Sequence, residues 1–187
     1  MAQWFWYFLI YSLLGYCLEK LFARAVRSDR QVRKCFLFLP LCPVYGLAML
    51  AVIALHDPQH SFLVQAMWGG ALCTAAEYLV HLFYDKFFQT KFWDYSALRF
   101  HINGRVCPQF SLAWGLLSAG AVRFIHPVIA ASAAAIPPEI TLGVWVFLAA
   151  DCVFTASLLR RYHNTELLSL AVFTDQQRSS SQSSTSR

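Results

Sequence analysis

The chain has 187 residues, of which 58% are hydrophobic and only 13% charged, with a net charge of +5 and a mean hydropathy of +0.46. Soluble domains carry roughly 25% charged residues, so this chain has too little charge to coat a water-facing surface and fits one whose surface meets lipid. The positive residues sit beside apolar runs, which speaks for topology control and against nucleic-acid binding, and the six cysteines form neither a CxxC pair nor a zinc spacing. No metal and no cofactor are expected.

The first apolar run, 4–22, follows no basic n-region and meets no small-residue cleavage site, so a retained helix is expected there. Tyr11, Gly15 and Glu19 recur at i, i+4 and i+8, one stripe of that helix, with Ser12 beside it. The second run, 36–55, contains Pro40 and Pro43; it either crosses the membrane or re-enters. Its Pro43-Val44-Tyr45-Gly46 sequence loosens the helix, and the freed carbonyls need a polar partner, although a simple kink also accounts for it.

The third run, 62–84, carries Gly70, Thr74, Glu77 and His81 at i, i+4, i+7 and i+11, again one stripe. A dense aromatic-polar stretch follows, KFWDYSALRFHINGRVC at 91–107, with Trp93, Asp94, Tyr95, Ser96, an Asn103-Gly104 turn signal and Arg105. The fourth run, 111–136, has a small-polar stripe of Ser111, Gly115 and Ser118, then Arg123, and a possible break at Pro127. The fifth, 140–159, contains Asp151. Residues 1–163 thus read as one helical domain, all-α and polytopic with about five spans, and the polar 164–187 as a disordered cytoplasmic tail.

The connections orient the spans. Arg24, Arg27, Arg30, Arg33 and Lys34 follow the first; Lys86, Lys91, Arg99 and Arg105 follow the third; Arg160 and Arg161 follow the fifth. The connections around HDPQH and PPE have no lysine or arginine. Positive residues on alternate loops place those loops in the cytoplasm, with the N-terminus outside and the C-terminus inside.

Glu19 and Glu77 then lie late in their spans, within about 10–15 Å of the cytoplasmic boundary at 1.5 Å per residue. A charge near the bilayer centre costs at least about 2.5–3.5 kcal/mol, so such groups face the protein interior or snorkel to the interface. The small-residue stripes fit either plain helix packing or a polar cavity between helices. Arg123 and Asp151 each lie about 12 residues into consecutive antiparallel spans, and a structural ion pair is expected between them. Residues 91–107 read either as an interfacial loop or as a lid over the carboxylates.

Several segments together resemble the ABC-transporter type IV (CmpB-like) family of small membrane proteins. They are YSLLGYCLE (11–19), PVYG (43–46), Thr74 to Glu77-Tyr78, WDYS (93–96), NGRVC (103–107), SLAWG (111–115) and FIHP (124–127). The resemblance implies a multi-pass membrane protein of the transport class. The chain lacks a GxxxxGK[ST] phosphate loop, so ATP hydrolysis in such a system belongs to a separate subunit. A five-span chain is small for a permease, which points to that ATPase subunit or a second copy as partner, besides the lipid bilayer.

The leading expectation is a permease-type protein with a cytoplasm-facing polar cavity. Glu19, Glu77, Asp94, Tyr95, Asn103 and Arg105 would line or close it, supported by Tyr11, Ser12, Gly15, Pro43, Tyr45, Gly46, Thr74, Trp93 and Ser96. An accessory protein that stabilises membrane partners is the first alternative, and a lipid-modifying enzyme the second. No triad, HExxH or metal-ligand spacing supports catalysis, so no enzyme activity and no catalytic residue are expected.

Overall fold

Apolar runs long enough to bury a stripe become helices in the computed structural model, which describes residues 2–25 and 35–163. Four of the five cationic residues of the first connection, Arg27, Arg30, Arg33 and Lys34, lie outside the described residues, as does the 164–187 tail. Among the described residues the architecture is all-helical, with one isolated bridge, Ile102 to Val106, and no strand. The helices are α1 (Ala2–Ala25), α2 (Pro43–Ala54), α3 (Phe62–Phe88), α4 (Pro108–Ala134) and α5 (Pro138–Tyr162).

Two of the five, α4 and α5, are long and apolar enough to cross a membrane. The 24 residues of α1 and 27 of α3 match them in length, but tryptophan, tyrosine and the polar stripes lower their hydropathy. Large apolar side chains face outward along all five helices, among them Leu21, Leu63, Met67, Leu112, Phe124 and Val153, each more than half exposed. Contiguous apolar surface on this scale needs a cover, and lipid is the natural one.

Buried positions on α3 show how the sequence sets the packing. Ala66, Gly70, Cys73, Glu77, His81, Tyr84 and Phe88 are all buried and recur every three to four residues, so one face turns inward along the full helix. That face packs mainly on α4. A Cβ on Gly70 would lie 3.0 Å from the Ser111 carbonyl and 3.4 Å from Gly115 Cα, so the backbones approach closely here. Thr74 Oγ1 donates to Ser111 Oγ at 2.8 Å across the same seam. On the other side, α1 packs on α2, and the Tyr45 ring fills the space that a side chain at position 15 would need.

The second apolar run departs from the expected span over 36–55. Only Pro43–Ala54 is helical, 12 residues or about 18 Å, and residues 36–42 are an irregular, largely buried segment. Leu37 is 1% exposed, and Cys35 and Cys42 are 2%. Two prolines in an apolar run allow burial but not a continuous helix. The segment's donors are met by side chains and backbone of other helices. Phe38 N donates to Thr155 Oγ1 (3.3 Å), Leu39 N to Asp151 Oδ2 (3.2 Å), and Cys42 N to Ser12 O (2.9 Å). Irregular backbone within an apolar body persists only where protein groups satisfy it in this way.

These contacts correct the expected Arg123–Asp151 ion pair. Among the described residues the ion pairs are Arg105–Asp85 and His60–Asp57. Asp151 serves the Leu39 amide, and Arg123 is exposed. The helix bearing Asp151 packs chiefly on α3 and α1, not on α4, so adjacency in sequence does not make the two helices partners. Arg123 also sits in a π turn, Ala121–Ile125, between the α-helical parts Pro108–Gly120 and His126–Ala134 of α4. Pro127 has no amide hydrogen and crowds the carbonyl four residues back. The widened turn accommodates it, so α4 continues past the expected break.

Candidate functional site

A cavity of about 260 Å³ opens where α1, α2, α3 and α4 meet the segment after α3. Glu19 of α1 and Glu77 of α3 both line it. Tyr45 Oη donates to Glu19 Oε1 at 2.7 Å, joining α2 to α1. Tyr95 Oη donates to Glu77 Oε1 at 2.9 Å, and Trp114 Nε1 to Glu77 Oε2 at 3.2 Å, joining the 89–107 segment and α4 to α3. Each carboxylate therefore couples the helix that carries it to a different element. Glu77 is 7% exposed, so these hydrogen bonds replace solvation that water would otherwise give.

Tyr45, Trp93, Tyr95 and Trp114 are aromatic members of the wall, and Phe110 backs two of them without lining it. Tyr95 stacks on Phe110 (4.9 Å), Phe110 on Trp114 (6.0 Å), and Trp114 meets Tyr45 edge to face (5.4 Å). The remaining lining is largely apolar, with Leu14, Met49, Leu117 and Ile125 among it. The π turn of α4 contributes Ala121 and Ile125, so the local distortion lies against the cavity, a common place for such turns.

The 91–107 stretch divides by face. Trp93 and Tyr95 reach the cavity, whereas Asp94, Asn103 and Arg105 belong to the same stretch but do not line it. Asp94 is exposed, and its Oδ1 accepts from Ser96 N at 2.9 Å, a local turn of the Asx type. That amide hydrogen bond holds the Asp94 carboxyl below the usual carboxylate range. Asn103 Nδ2 donates to Tyr78 Oη (3.0 Å), and Arg105 pairs with Asp85 (2.8 Å), so both clamp the stretch to the outer face of α3.

The fold of that stretch follows from its turn residues. Asn103 and Gly104 have φ of 53° and 68°, the left-handed region that asparagine and glycine adopt most readily. Tyr95 N donates to Gly104 O at 2.8 Å and closes the loop. Trp93 is 8% exposed; its indole donates to Arg105 O at 2.9 Å, and its carbonyl accepts from His81 Nε2 at 3.0 Å. Burial first, then the Glu77 charge, push the Tyr95 phenol well up, so Tyr95 keeps its proton and stays a donor.

The supporting residues fall into two groups. Tyr11, Gly15 and Tyr45 line the cavity with the glutamates. Ser12, Pro43, Gly46, Thr74 and Ser96 shape the backbone around it: Pro43 opens α2, and the Ser12 hydroxyl lies where a Cβ on Gly46 would go. Trp114 is the wall residue that sequence reasoning missed. A signal existed, because an indole N–H on a buried helix face needs an acceptor and Glu77 was the nearest unexplained acid.

The apolar helices thus hold two acidic groups in an aromatic-walled cavity. The family model described as "Putative ABC-transporter type IV" matches residues 6–156, and the chain belongs to that family. The match takes in every cavity residue named above. No curated protein and no solved structure matches the chain.

Proposed function

We propose that this protein is a small permease-type membrane component whose substrate site is the cavity between α1, α2, α3 and α4. One observation carries the proposal: acidic side chains from two separate apolar helices line the same cavity. Packing alone gives no reason for two carboxylates to share one space, since each costs solvation energy there. A transported ligand does. In the proposed topology all five helices belong to the membrane domain, and the irregular 36–42 segment and the short α2 cross it together, so that α3 runs from outside to inside. The 89–107 segment caps the cavity on the cytoplasmic side.

Family membership supports association with a separate ATPase subunit, docked on the cytoplasmic connections, with a second copy of the chain completing the permease. The chain's own part is binding and translocation; no catalytic step is assigned to its residues. The test compares small-molecule content in cells that overproduce the wild type, cells that overproduce Glu77→Gln, and cells with an empty vector. A compound whose level changes with the wild type and not with Glu77→Gln is expected. An identical change in both would refute a transport role for this site.

A further inference from the structure

We propose that the cavity takes an organic ammonium cation with an apolar body, rather than an inorganic ion or an anion. The inference rests on the cavity being a binding site, as proposed above, and adds the chemistry of what enters. Tyr45, Tyr95 and Trp114 are neutral donors. These donors satisfy the acids without bringing positive charge, so a cavity lined by Glu19 and Glu77 disfavours anions and favours cations.

The walls decide which cation. Calcium takes six to eight oxygen ligands and magnesium nearly ideal octahedral ones. Among the described residues no group of three or more His, Cys, Asp or Glu could hold a metal ion. Leu14, Val44, Met49 and Leu117 cannot replace a hydration shell. They do suit a weakly hydrated onium group with carbon substituents. Tyr45, Trp93, Tyr95 and Trp114 supply the aromatic surfaces that attract such a cation through the ring quadrupole.

Size and one orphan group add to this. The cavity, at about 260 Å³, falls just under the roughly 300–1,000 Å³ of drug-sized sites, which points to a compact ligand. Tyr11 lines the cavity, is 4% exposed, and its hydroxyl has no hydrogen-bond partner among the described residues. A buried hydroxyl without a partner is unfavourable, and its oxygen is a natural neighbour for a cationic head.

Three probes of similar bulk separate charge from shape: benzyltrimethylammonium, its uncharged carbon isostere neopentylbenzene, and benzenesulfonate. Each is titrated into the purified full-length protein in nanodiscs, with tryptophan fluorescence as readout and protein-free discs as blank. Saturable binding of the cation, about tenfold tighter than the isostere, is expected. Glu19→Gln and Glu77→Gln should each remove most of that preference and leave the isostere's affinity unchanged. Equal affinity for cation and isostere, or preference for the sulfonate, overturns the ligand class while leaving a binding cavity. No saturable binding of any probe overturns both. The wild-type comparison needs no variant, so it stands even if a substitution impairs folding. Cation binding that is intact while cellular transport ignores Glu77→Gln keeps the ligand class and removes the transport reading.

Discussion

Glu77 and Asp151 are both acids set deep in apolar helices, yet the regions around them are built differently. Glu77 accepts from the side chains of Tyr95 and Trp114 and borders an open space. Asp151 meets backbone: it accepts the Leu39 amide of a buried irregular segment, and Thr155, one turn on, accepts that of Phe38. Two acids on apolar helices thus do different jobs. One acid holds the backbone of the irregular segment before α2; the other ties α3 to α4 and to the 89–107 segment at the edge of a cavity.

The difference is breakable by substitution. Asp151→Leu adds apolar bulk and removes the carboxylate that accepts the Leu39 amide, and a hydrogen bond to a carboxylate is worth up to about 3 kcal/mol. A matching loss of thermal stability in nanodiscs is expected, with transport falling only as far as folded protein does. Glu77→Gln keeps one acceptor and leaves one of its two donors facing an amide NH2, so a stability loss of about 1–3 kcal/mol is expected, but with complete loss of transport per folded molecule. If both variants lose transport per folded molecule equally, the two regions are not distinct in kind.

Gly15→Ala sharpens the cavity side. A Cβ there collides with the Tyr45 ring, and overpacking of this kind costs about 1–3 kcal/mol. The displaced ring would also release Glu19 from its 2.7 Å hydrogen bond. Stability and cation affinity should therefore fall together, measured by thermal denaturation and by the fluorescence titration, and Gly15→Ala with unchanged affinity would separate Tyr45 from the site.

Much of this was legible in the residues. The stripes on α1 and α3 gave Glu19 and Glu77 one inward direction each, because helical period fixes which side chains share a face. Two failures share a cause. Hydropathy is the same for a buried extended segment as for a buried helix, so residues 36–42 read as part of a span. Asp151 was assigned a cation because sequence displays charged partners, whereas a backbone amide is present at every position and marks none. Asp94 was the opposite case. Its serine two residues on signals an Asx turn, and that local explanation outranked the cavity role it was expected to have.

The Asp94 turn gives the smallest expected effect. Its carboxyl is held low by the Ser96 amide, so the ionised form is the one folding favours. The contribution is present above the unfolded carboxylate value, about pH 4, and is lost as pH falls below it. Hydrogen-exchange protection of residues 94–104, taken relative to the intrinsic rate at each pH, should fall at acid pH in the wild type and be lower already at neutral pH in Asp94→Ala, with cation affinity at neutral pH unchanged. A large affinity loss in Asp94→Ala would return this residue to the cavity.

The most direct test asks whether the two glutamates share one space. Leu14 lines the cavity and is 42% exposed, so Leu14→Cys alkylated with N-benzylmaleimide would plug it. Dicyclohexylcarbodiimide, which modifies carboxyl groups in apolar surroundings, is then applied, and mass spectrometry follows each site, with identically treated wild type as control. The plug should slow modification of Glu19 and Glu77 together and leave Asp151 unchanged. Protection of only one glutamate, or of all three acids alike, would contradict a common cavity.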